Sequence, residues 1–249
     1  MLVLLTNDDG ISAKGLRKLK DGLEKICDVF VVAPDKEKST SSHSLTLTHP
    51  LRFKNISSTE ISVDGTPTDC VILAVRGILK RRPDIIVSGI NHGPNLGDDV
   101  LYSGTVAAAM EGTLLGIKSV AVSLVSEHRF DFSASAKFAA ALVQRICKIG
   151  LPPETFLNVN IPDGEKLEGI KITKLGKRIY KDYAEERVDH NGKPYFWIDG
   201  ELKWEKGKNT DFDAIEKGLV SITPLHLDLT NHKAIKRIKR WEKDFQKKF

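Results

Sequence analysis

Asp8 and Asp9 stand side by side at the end of an apolar run, in the stretch "LLTNDDGI" that covers residues 4–11. Two adjacent carboxylates repel each other, so something in the folded protein should offset that cost. A divalent cation would bind both groups and remove the repulsion, which makes this stretch a candidate metal site. A polar turn that uses Gly10 to change the chain direction is the other interpretation of the same residues.

Buried strands and amphipathic helices alternate over the first two-thirds of the chain. Apolar runs predict strands at residues 2–6, 28–34, 83–90, 119–125 and 156–162. Apolar residues at helical spacing predict helices at residues 12–26, 69–80, 104–116 and 133–150. Apolar strands that are separated by helices indicate a parallel sheet covered on both faces. We therefore predict a doubly wound, mostly parallel α/β sheet of the Rossmann-like type over about residues 1–165.

The pattern changes from about residue 170. Residues 178–204 are polar and aromatic with a turn signal at Asn191-Gly192, which predicts an extended β-hairpin arm. Residues 219–230 predict a strand and a turn. The tail predicts an amphipathic terminal helix whose apolar residues are Ile235, Ile238, Trp241 and Phe245. We find no repeat and no linker, so residues 1–249 are expected to form a single domain with this appendage at about 170–249.

Polar side chains follow the first three strands of the predicted core. Asn7, Asp8 and Asp9 follow the first strand, the loop 35–44 follows the second, and a long polar stretch from Asn91 follows the third. In an open parallel sheet these loops meet at one edge, where ligands bind. They offer carboxylates, hydroxyls and amides with almost no sulfur or imidazole. Such hard oxygen donors suit Mg²⁺, Mn²⁺ or Ca²⁺ better than zinc.

Ser103 directly precedes the predicted helix of small residues at 104–116, and Gly104 and Thr105 begin that helix. A helix N-terminus with hydroxyls and glycine can bind a phosphate group through its free N–H groups. A simple helix cap is the alternative for such a pattern. A cation beside a phosphate site predicts metal-assisted transfer of a phosphoryl group to water.

These motifs together resemble the SurE family of metal-dependent nucleotidases, also called survival protein E. The matching segments are "TNDDGI" (6–11), "VVAPDKEKS" (31–39), "GTPTDCV" (65–71), "SGINHGPNLGDDVLYSGTVAAAMEG" (88–112) and "VSITPL" (220–225). They span nearly the whole chain in the order that the family has, and the long central motif is highly specific. One departure is Ser42, which stands where the family pattern leads us to expect a glycine before the histidine, and which would stiffen that loop.

The resemblance implies one divalent cation per subunit, Mg²⁺ or Mn²⁺, in a site that Ca²⁺ can also occupy. The implied metal ligands are Asp8, Asp9, Ser39 and Asn91. The implied phosphate contacts are Asn95, Ser103, Gly104 and Thr105. The implied reaction releases phosphate from nucleoside 5′- and 3′-monophosphates, and from short polyphosphate in some members. The family assembles as dimers or tetramers through the C-terminal arm and helix, so a homo-oligomer is expected.

The catalytic roles leave alternatives open. Asp8 and Asp9 are the candidate catalytic residues, with Asp8 either a nucleophile or a ligand of the cation that activates water. His43 is a candidate proton donor to the leaving alkoxide, and a surface residue of a loop in the other interpretation. A group of aromatic residues either stacks on a nucleobase or fills a subunit interface. These residues are Tyr180, Tyr183, Tyr195, Phe196 and Trp197.

Composition limits the remaining classes. The net charge is +5, much of it in the C-terminal stretch 232–249, and no nucleic-acid-binding module is recognisable. Three cysteines lie far apart, and no leader or membrane span is apparent, so we expect a cytoplasmic protein in a reducing compartment. A non-catalytic nucleotide or phosphate sensor is the alternative function. A basic nucleic-acid-binding protein ranks last.

Overall fold

The computed structural model describes residues 1–126, 130–164 and 167–246, and in this part the chain forms a nine-stranded sheet and a two-stranded one. The strands are β1 Leu2–Thr6, β2 Asp28–Pro34, β3 Phe53–Ser57, β4 Glu60–Val63, β5 Ile85–His92, β6 Lys118–Val125, β7 Thr155–Pro162, β8 Ile170–Ile172, β9 Arg178–Val188, β10 Pro194–Trp204 and β11 Val220–His226. The large sheet has the order β3-β4-β2-β1-β5-β6-β7-β11-β8. Its six central strands, β4 to β7 in that order, are parallel.

Helices cover both faces of this sheet. They are α1 Lys14–Leu23, α2 Pro67–Leu73, α3 Gly104–Leu114, α4 Ser133–Ile149, α5 Asp211–Glu216, α6 His232–Ile238 and α7 Arg240–Gln246. Val3 and Leu5 of β1 pack in the cluster that holds α1 and α4, whereas Leu4 packs with α2 and α3. Successive side chains of a strand point to opposite faces, so the two helix pairs lie on opposite sides. The predicted doubly wound α/β fold is confirmed.

The apolar stripe of α1 shows why these helices bind the sheet. Leu16, Leu19 and Leu23 recur at helical spacing and are fully buried. Burial of one leucine side chain contributes roughly 1.5–3 kcal/mol to the free energy of unfolding. Three such residues on one face orient the helix against the sheet.

The topology reverses between β1 and β5. β1 pairs with β2 on one side and with β5 on the other, so the chain first builds the sheet one way and then returns to extend it the other way. Ligands of doubly wound proteins bind in the crevice beyond the carboxyl ends of the two strands at this reversal. Residues that follow Thr6 and those near His92 are therefore brought together.

Several elements differ from the sequence expectation. The antiparallel hairpin of β3 and β4 was not predicted, because β3 is exposed along its whole length and lacks an apolar pattern. The helix expected at 69–80 begins at Pro67, and its last part is a π-helical turn at Ala74–Ile78. The tail forms two short helices, α6 and α7, instead of one.

The sheet also continues beyond residue 165. β11 lies antiparallel to β7, and β8 pairs with β11 at the edge. The assignment of residues 1–249 to one domain stays a prediction, but the large sheet takes two strands from the C-terminal third. Among the described residues, the longest apolar helical stretch falls short of what a membrane-spanning helix requires. The cytoplasmic location stays a prediction.

The predicted β-hairpin arm is confirmed. β9 and β10 pair over eleven residues each, from Arg178 opposite Trp204 to Val188 opposite Pro194. The chain reverses at the predicted turn, where Gly192 has φ +76° and its N–H donates to the Asp189 carbonyl at 3.0 Å. Such a positive φ favours glycine. The side chains of Tyr180 and Tyr183 lie outside the described residues.

Acidic residues hold the base of the arm. Asp98 accepts a hydrogen bond from the Arg178 N–H at 3.0 Å, and Asp99 pairs with the Arg178 guanidinium. Asp211 is fully buried and accepts from the N–H groups of Gly97 and Gly176, both at 2.7 Å. It therefore joins the loop after β5 to the segment that enters β9.

We expect Asp211→Ala to lower the free energy of unfolding by about 2–4 kcal/mol. The substitution leaves buried N–H groups of Gly97, Gly176 and Phe212 without the carboxylate that accepts from them. Urea unfolding followed by circular dichroism measures this loss. The control is Asp21→Ala, because Asp21 is exposed on α1. Equal stabilities of the two variants would contradict the bridging role of Asp211.

Candidate active site

Asp8 lies against the N-terminus of α3. Its side chain is buried, and Oδ2 accepts a hydrogen bond from the backbone N–H of Thr105 at 3.0 Å. The hydroxyl of Thr105 donates to Oδ1 of the same carboxylate. Ser103 caps the helix, because its Oγ accepts from the N–H of Val106 at 3.1 Å. The helix dipole favours negative charge at this end, so the position suits a carboxylate.

Burial raises the pKa of Asp8 to about 6 from its ordinary value of 3.8. The hydrogen bond from the Thr105 hydroxyl acts in the opposite direction, and the negative charge of Asp9 raises the pKa further. The ionised form of Asp8 is therefore disfavoured by its surroundings. A positive charge placed between the two carboxylates would offset both effects.

Asp9 is oriented by His92, the last residue of β5. His92 Nδ1 lies 3.0 Å from Asp9 Oδ2, and the backbone N–H of His92 lies 3.3 Å from the same oxygen. The imidazole contacts the rings of Phe130 and Phe132, with centroid distances of 5.3 and 4.8 Å. The hydrogen bond to Asp9 raises the pKa of His92. His92 is not among the residues that the sequence predicts for the site, although it directly follows Asn91 in the central motif.

Asn91 reaches the same edge from β5. Its Oδ1 lies 3.5 Å from the Thr105 hydroxyl, and its Nδ2 donates to the carbonyl of Gly93 at 3.0 Å. Asp8, Asn91 and Thr105 are thus brought together by the ends of β1 and β5 and the start of α3. These three residues lie in separate parts of the sequence, and the reversal of the sheet explains why they meet.

Ser39 makes its described side-chain hydrogen bond with a residue outside the expected set of metal ligands. It is exposed, and its hydroxyl donates to Glu37 Oε1 at 2.7 Å. The neighbouring residue ties the loop to the site, because the Lys38 N–H donates to the Asp8 carbonyl at 2.7 Å. The role of Ser39 as a metal ligand stays a prediction.

Asn95 belongs to a buried polar network beside the site. Its Nδ2 donates to Ser123 Oγ at 2.8 Å, and its backbone N–H donates to Asn160 Oδ1 at 2.8 Å. The carbonyl of Asn95 accepts from Asn158 and Asn160 at 2.8 and 2.9 Å. These contacts hold the loop after β5 over β6 and β7. A phosphate contact from Asn95 stays a prediction.

Gly104 allows α3 to approach Asp8. A Cβ at this position would lie 2.9 Å from Asp8 Cβ, 3.0 Å from Asp8 Oδ2 and 2.7 Å from Ser41 Oγ. These distances are shorter than ordinary van der Waals contacts. The phosphate roles of Ser103, Gly104 and Thr105 stay predictions, and both donors of Thr105 are on Asp8 in this structure.

The comparisons with known proteins agree with this architecture. The family model described as "Survival protein SurE" matches residues 3–182, which is more than half of the chain. The chain belongs to the SurE family. The resemblance found in the sequence is confirmed.

Curated SurE relatives match this chain over nearly its whole length. A "5'-nucleotidase SurE" of Geobacter metallireducens is 51% identical, over 97% of this chain and 98% of the relative. One of Geotalea uraniireducens is 49% identical, over 97% and 99% of the two chains. The crystal structure of the SurE protein from Aquifex aeolicus superposes with a TM-score of 0.88 at 46% identity, covering 97% of this chain and all of that one.

Ser42 stands where the SurE pattern leads us to expect a glycine, and its backbone conformation bears on that difference. Ser42 has φ +50°, in the left-handed region where glycine is favoured. Its N–H donates to the carbonyl of Tyr102 at 3.0 Å, so the strained residue is held in place. His43 follows, and its Nε2 lies 2.9 Å from Glu111 Oε2. The role of His43 as a proton donor stays a prediction.

We expect Ser42→Gly to raise the free energy of unfolding by about 0.5–1 kcal/mol, because glycine removes the strain of the left-handed backbone. A thermal unfolding curve measures the gain. The matched control is Ser44→Gly, since no positive φ occurs at Ser44. That variant should be neutral or destabilising. A loss of stability in Ser42→Gly would contradict the assigned strain.

The oxygen donors at this edge of the SurE fold suit a hard cation. Within the described residues, the buried atoms Asn7 Oδ1 and Ser41 Oγ have no hydrogen-bond partner. No cluster of three histidine, cysteine or acidic side chains suitable for a metal occurs in the described part of the chain. The expected donor set has only two carboxylates, with neutral oxygens for the rest, and this chemistry fits Mg²⁺ or Mn²⁺ better than zinc.

Proposed function

We propose that this protein is a metal-dependent phosphomonoesterase that hydrolyses nucleoside monophosphates. The observation that carries the proposal is the buried Asp8 carboxylate, which lies beside Asp9 at the N-terminus of α3. A pure phosphate-binding site would avoid two adjacent carboxylates, because they repel the ligand. The curated relatives are named 5'-nucleotidases, which supports the hydrolase activity and the nucleotide substrate.

The cation would be held by carboxylate, hydroxyl and amide oxygens. The proposed ligands are Asp8, Asp9, Ser39 and Asn91. When bound, a Mg²⁺ or Mn²⁺ ion supplies charge stabilisation to the phosphoryl oxygens and lowers the pKa of water. His92 holds Asp9 by the 3.0 Å contact, and Thr105 holds both oxygens of Asp8. These contacts keep the proposed ligands oriented before any ligand binds.

The phosphate group would lie at the start of α3. Ser103 and the Gly104 N–H are the groups at this helix end that we assign to it, with Asn95 and Thr105 as further contacts. Negative charge that develops on the phosphoryl oxygens is stabilised by the positive end of the helix dipole. A P–O bond forms to the nucleophile, the ester P–O bond breaks, and the leaving alkoxide takes a proton to become the nucleoside hydroxyl. His43 is a candidate donor of that proton.

The nucleophile is water or Asp8, and isotope labelling distinguishes the two routes. Single turnover in ¹⁸O-water gives label in phosphate by direct attack. Hydrolysis of an aspartyl-phosphate intermediate at its phosphorus also labels phosphate, whereas hydrolysis at its carbon places label in Asp8. Acid quenching within one turnover and mass spectrometry of the Asp8 peptide therefore complete the test. A phosphorylated or labelled peptide contradicts direct attack by water.

The substrate range is tested with a panel of phosphate compounds. We expect metal-dependent release of phosphate from 5′-AMP and 3′-AMP, with a slower reaction on tripolyphosphate. Each compound is incubated after EDTA treatment, and again with excess Mn²⁺ or Mg²⁺. Binding of nucleotide with no release under any metal would support a sensor and contradict the hydrolase. The bound cation is then identified by mass spectrometry of the purified protein.

We also propose that the protein forms a dimer or tetramer through the C-terminal arm and helix. Phe196 and Trp197 of β10 and Trp241 of α7 are more than half exposed. Large aromatic side chains are common in subunit interfaces. Sedimentation velocity should give a dimer or larger assembly, and Trp241→Asp with Trp197→Asp should shift it towards the monomer. A monomeric wild-type protein at micromolar concentration would contradict this assembly.

A further inference from the structure

Glu111 is a buried acid on an otherwise apolar face of α3. The side chains of α3 are mostly small or aliphatic, and those of Ala107, Ala108 and Ala109 are buried. Glu111 is only 8% exposed. A buried carboxylate destabilises the fold unless it is paired or hydrogen-bonded. The described contact of Glu111 is with His43, whose Nε2 lies 2.9 Å from its Oε2.

His43 lies in the segment 38–46, which connects the end of β2 to the region before β3. The upstream end of this segment is tied to the site, because the Lys38 N–H donates to the Asp8 carbonyl at 2.7 Å. Ser41 lies against Gly104. A Cβ added at position 104 would be only 2.7 Å from Ser41 Oγ. The segment therefore covers the start of α3.

The downstream end of segment 38–46 is tied to α2. The Ser44 carbonyl accepts from Thr66 Oγ1 at 2.8 Å, and the Thr46 N–H donates to Asp69 Oδ1 at 2.9 Å. Thr66 and Asp69 form the capping box of α2. The contact of His43 with Glu111 lies between these two attachments and is the described side-chain link from the segment to α3.

The backbone of segment 38–46 is strained between its attachments. Thr40 and Ser42 have φ values of +58° and +50°, and both carry a Cβ. Such conformations persist only where surrounding contacts impose them. The segment would relax if the link to α3 were lost, and Ser39 and Ser41 would move with it.

We propose that Glu111 is a positioning residue, which acts through His43 to hold segment 38–46 on α3 and so keeps Ser39 and Ser41 at the Asp8 edge. The inference deepens the proposed function, because Ser39 is there a ligand of the cation. Glu111 itself touches neither the phosphate site nor Asp8 in the contacts of the described residues. It acts on the affinity of the site for the cation more than on the bond-breaking step.

The test compares Glu111→Ala, Glu111→Gln, His43→Ala and the double alanine variant. Glutamine keeps an oxygen that accepts a hydrogen bond from His43. Glu111→Gln should therefore keep most of the Mn²⁺ affinity that Glu111→Ala loses. Each variant is measured for the Mn²⁺ concentration that gives half-maximal rate with 5′-AMP, and for kcat at saturating Mn²⁺. We expect Glu111→Ala and His43→Ala to raise that concentration about tenfold, and Glu111→Ala to change kcat less than threefold. The double variant should need the same Mn²⁺ concentration for half-maximal rate as the more strongly affected single variant, because the two residues act through one contact.

Amide hydrogen exchange of segment 38–46 supplies a readout that needs no turnover. The amides of Ser42 and Thr46 should lose protection in Glu111→Ala and keep it in Glu111→Gln. The control is Glu216→Ala, which removes an exposed acid from α5 and should leave the exchange unchanged. If the wild-type protein released no phosphate with any metal, the proposed function would fail while the exchange result still tested the link.

Two results would overturn the positioning role. Unchanged exchange in segment 38–46 of both alanine variants would show that the pair does not hold the segment. Unchanged Mn²⁺ dependence, with altered exchange, would show that the segment does not position a residue that the cation needs. His43→Ala changes an outer side chain of a loop, so it provides the test even if Glu111→Ala does not fold.

Discussion

Asp8→Asn is expected to lower metal-dependent phosphate release from 5′-AMP by about 1,000-fold or more. Asparagine has nearly the same shape, and its carbonyl can still accept from the Thr105 N–H. It lacks the negative charge that a divalent cation requires and that an aspartyl nucleophile supplies. The measurement is kcat/KM with Mn²⁺ in excess. Asp21→Asn, on the exposed face of α1, is the control and should keep full activity.

The same variant should be more stable than the wild type when no metal is bound. The fold raises the pKa of Asp8 to about 6, so the folded protein binds that proton more tightly than the unfolded chain does. A raised carboxyl pKa means that stability is lost as pH rises from the unfolded value of 3.8 to about 6. The loss is of order 3 kcal/mol at most, which follows from about 1.4 kcal/mol per pKa unit.

Melting curves in EDTA test this second effect. Asp8→Asn should melt several degrees above the wild type at pH 7.5, and the two should nearly coincide at pH 4. Saturating Mn²⁺ should then raise the melting temperature of the wild type and leave that of the variant almost unchanged. A variant that is less stable than metal-free wild type at pH 7.5 would contradict the electrostatic cost assigned to Asp8.

Gly104→Ala is expected to lower the turnover rate by about 100-fold, although it adds only a methyl group. The new Cβ would lie within 3.0 Å of Asp8 Cβ and Oδ2, and within 2.7 Å of Ser41 Oγ. The carboxylate or the start of α3 must therefore move by several tenths of an ångström. A displacement of that size would separate the proposed phosphate-binding end of the helix from the proposed metal ligands.

The control for this substitution is Gly77→Ala. Gly77 lies in the π-helical turn after α2, and a Cβ there meets no atom within 4 Å. Gly77→Ala should keep wild-type kcat and KM. Circular dichroism must show that Gly104→Ala is folded, and the loss should appear in kcat with 5′-AMP. Full activity of folded Gly104→Ala would mean that the close approach of α3 to Asp8 is not needed.

Much of the fold follows from local patterns in the sequence. The strands at Leu2–Thr6 and Asp28–Pro34 have the predicted bounds, because each is an apolar run that ends at a polar or proline residue. Leu16, Leu19 and Leu23 recur at helical spacing, so the sequence also predicts the buried face of α1. The order of these elements then determines where the sheet reverses, and hence that Asp8 and Asn91 approach each other.

Contacts between distant residues were not predictable in the same way. Nothing local to Asp98 and Asp99 in the sequence indicates that they hold Arg178 at the base of the arm. Nothing local to Glu111 indicates a partner 68 positions away. His92 could have been found, since a histidine beside a proposed ligand is a common orienting group, but its partner Asp9 is far away in sequence.

A Mn²⁺ titration of phosphate release from 5′-AMP, with protein that has been stripped by EDTA, tests whether Asp8 and Asp9 form a metal-binding catalytic pair. We predict no release without metal, a saturable rise as Mn²⁺ is added, and a plateau when one ion per subunit is bound. The ion count comes from calorimetry on the same sample. Release that is complete in EDTA and unchanged by Mn²⁺ would contradict the assignment of Asp8 and Asp9 as a metal-binding catalytic pair.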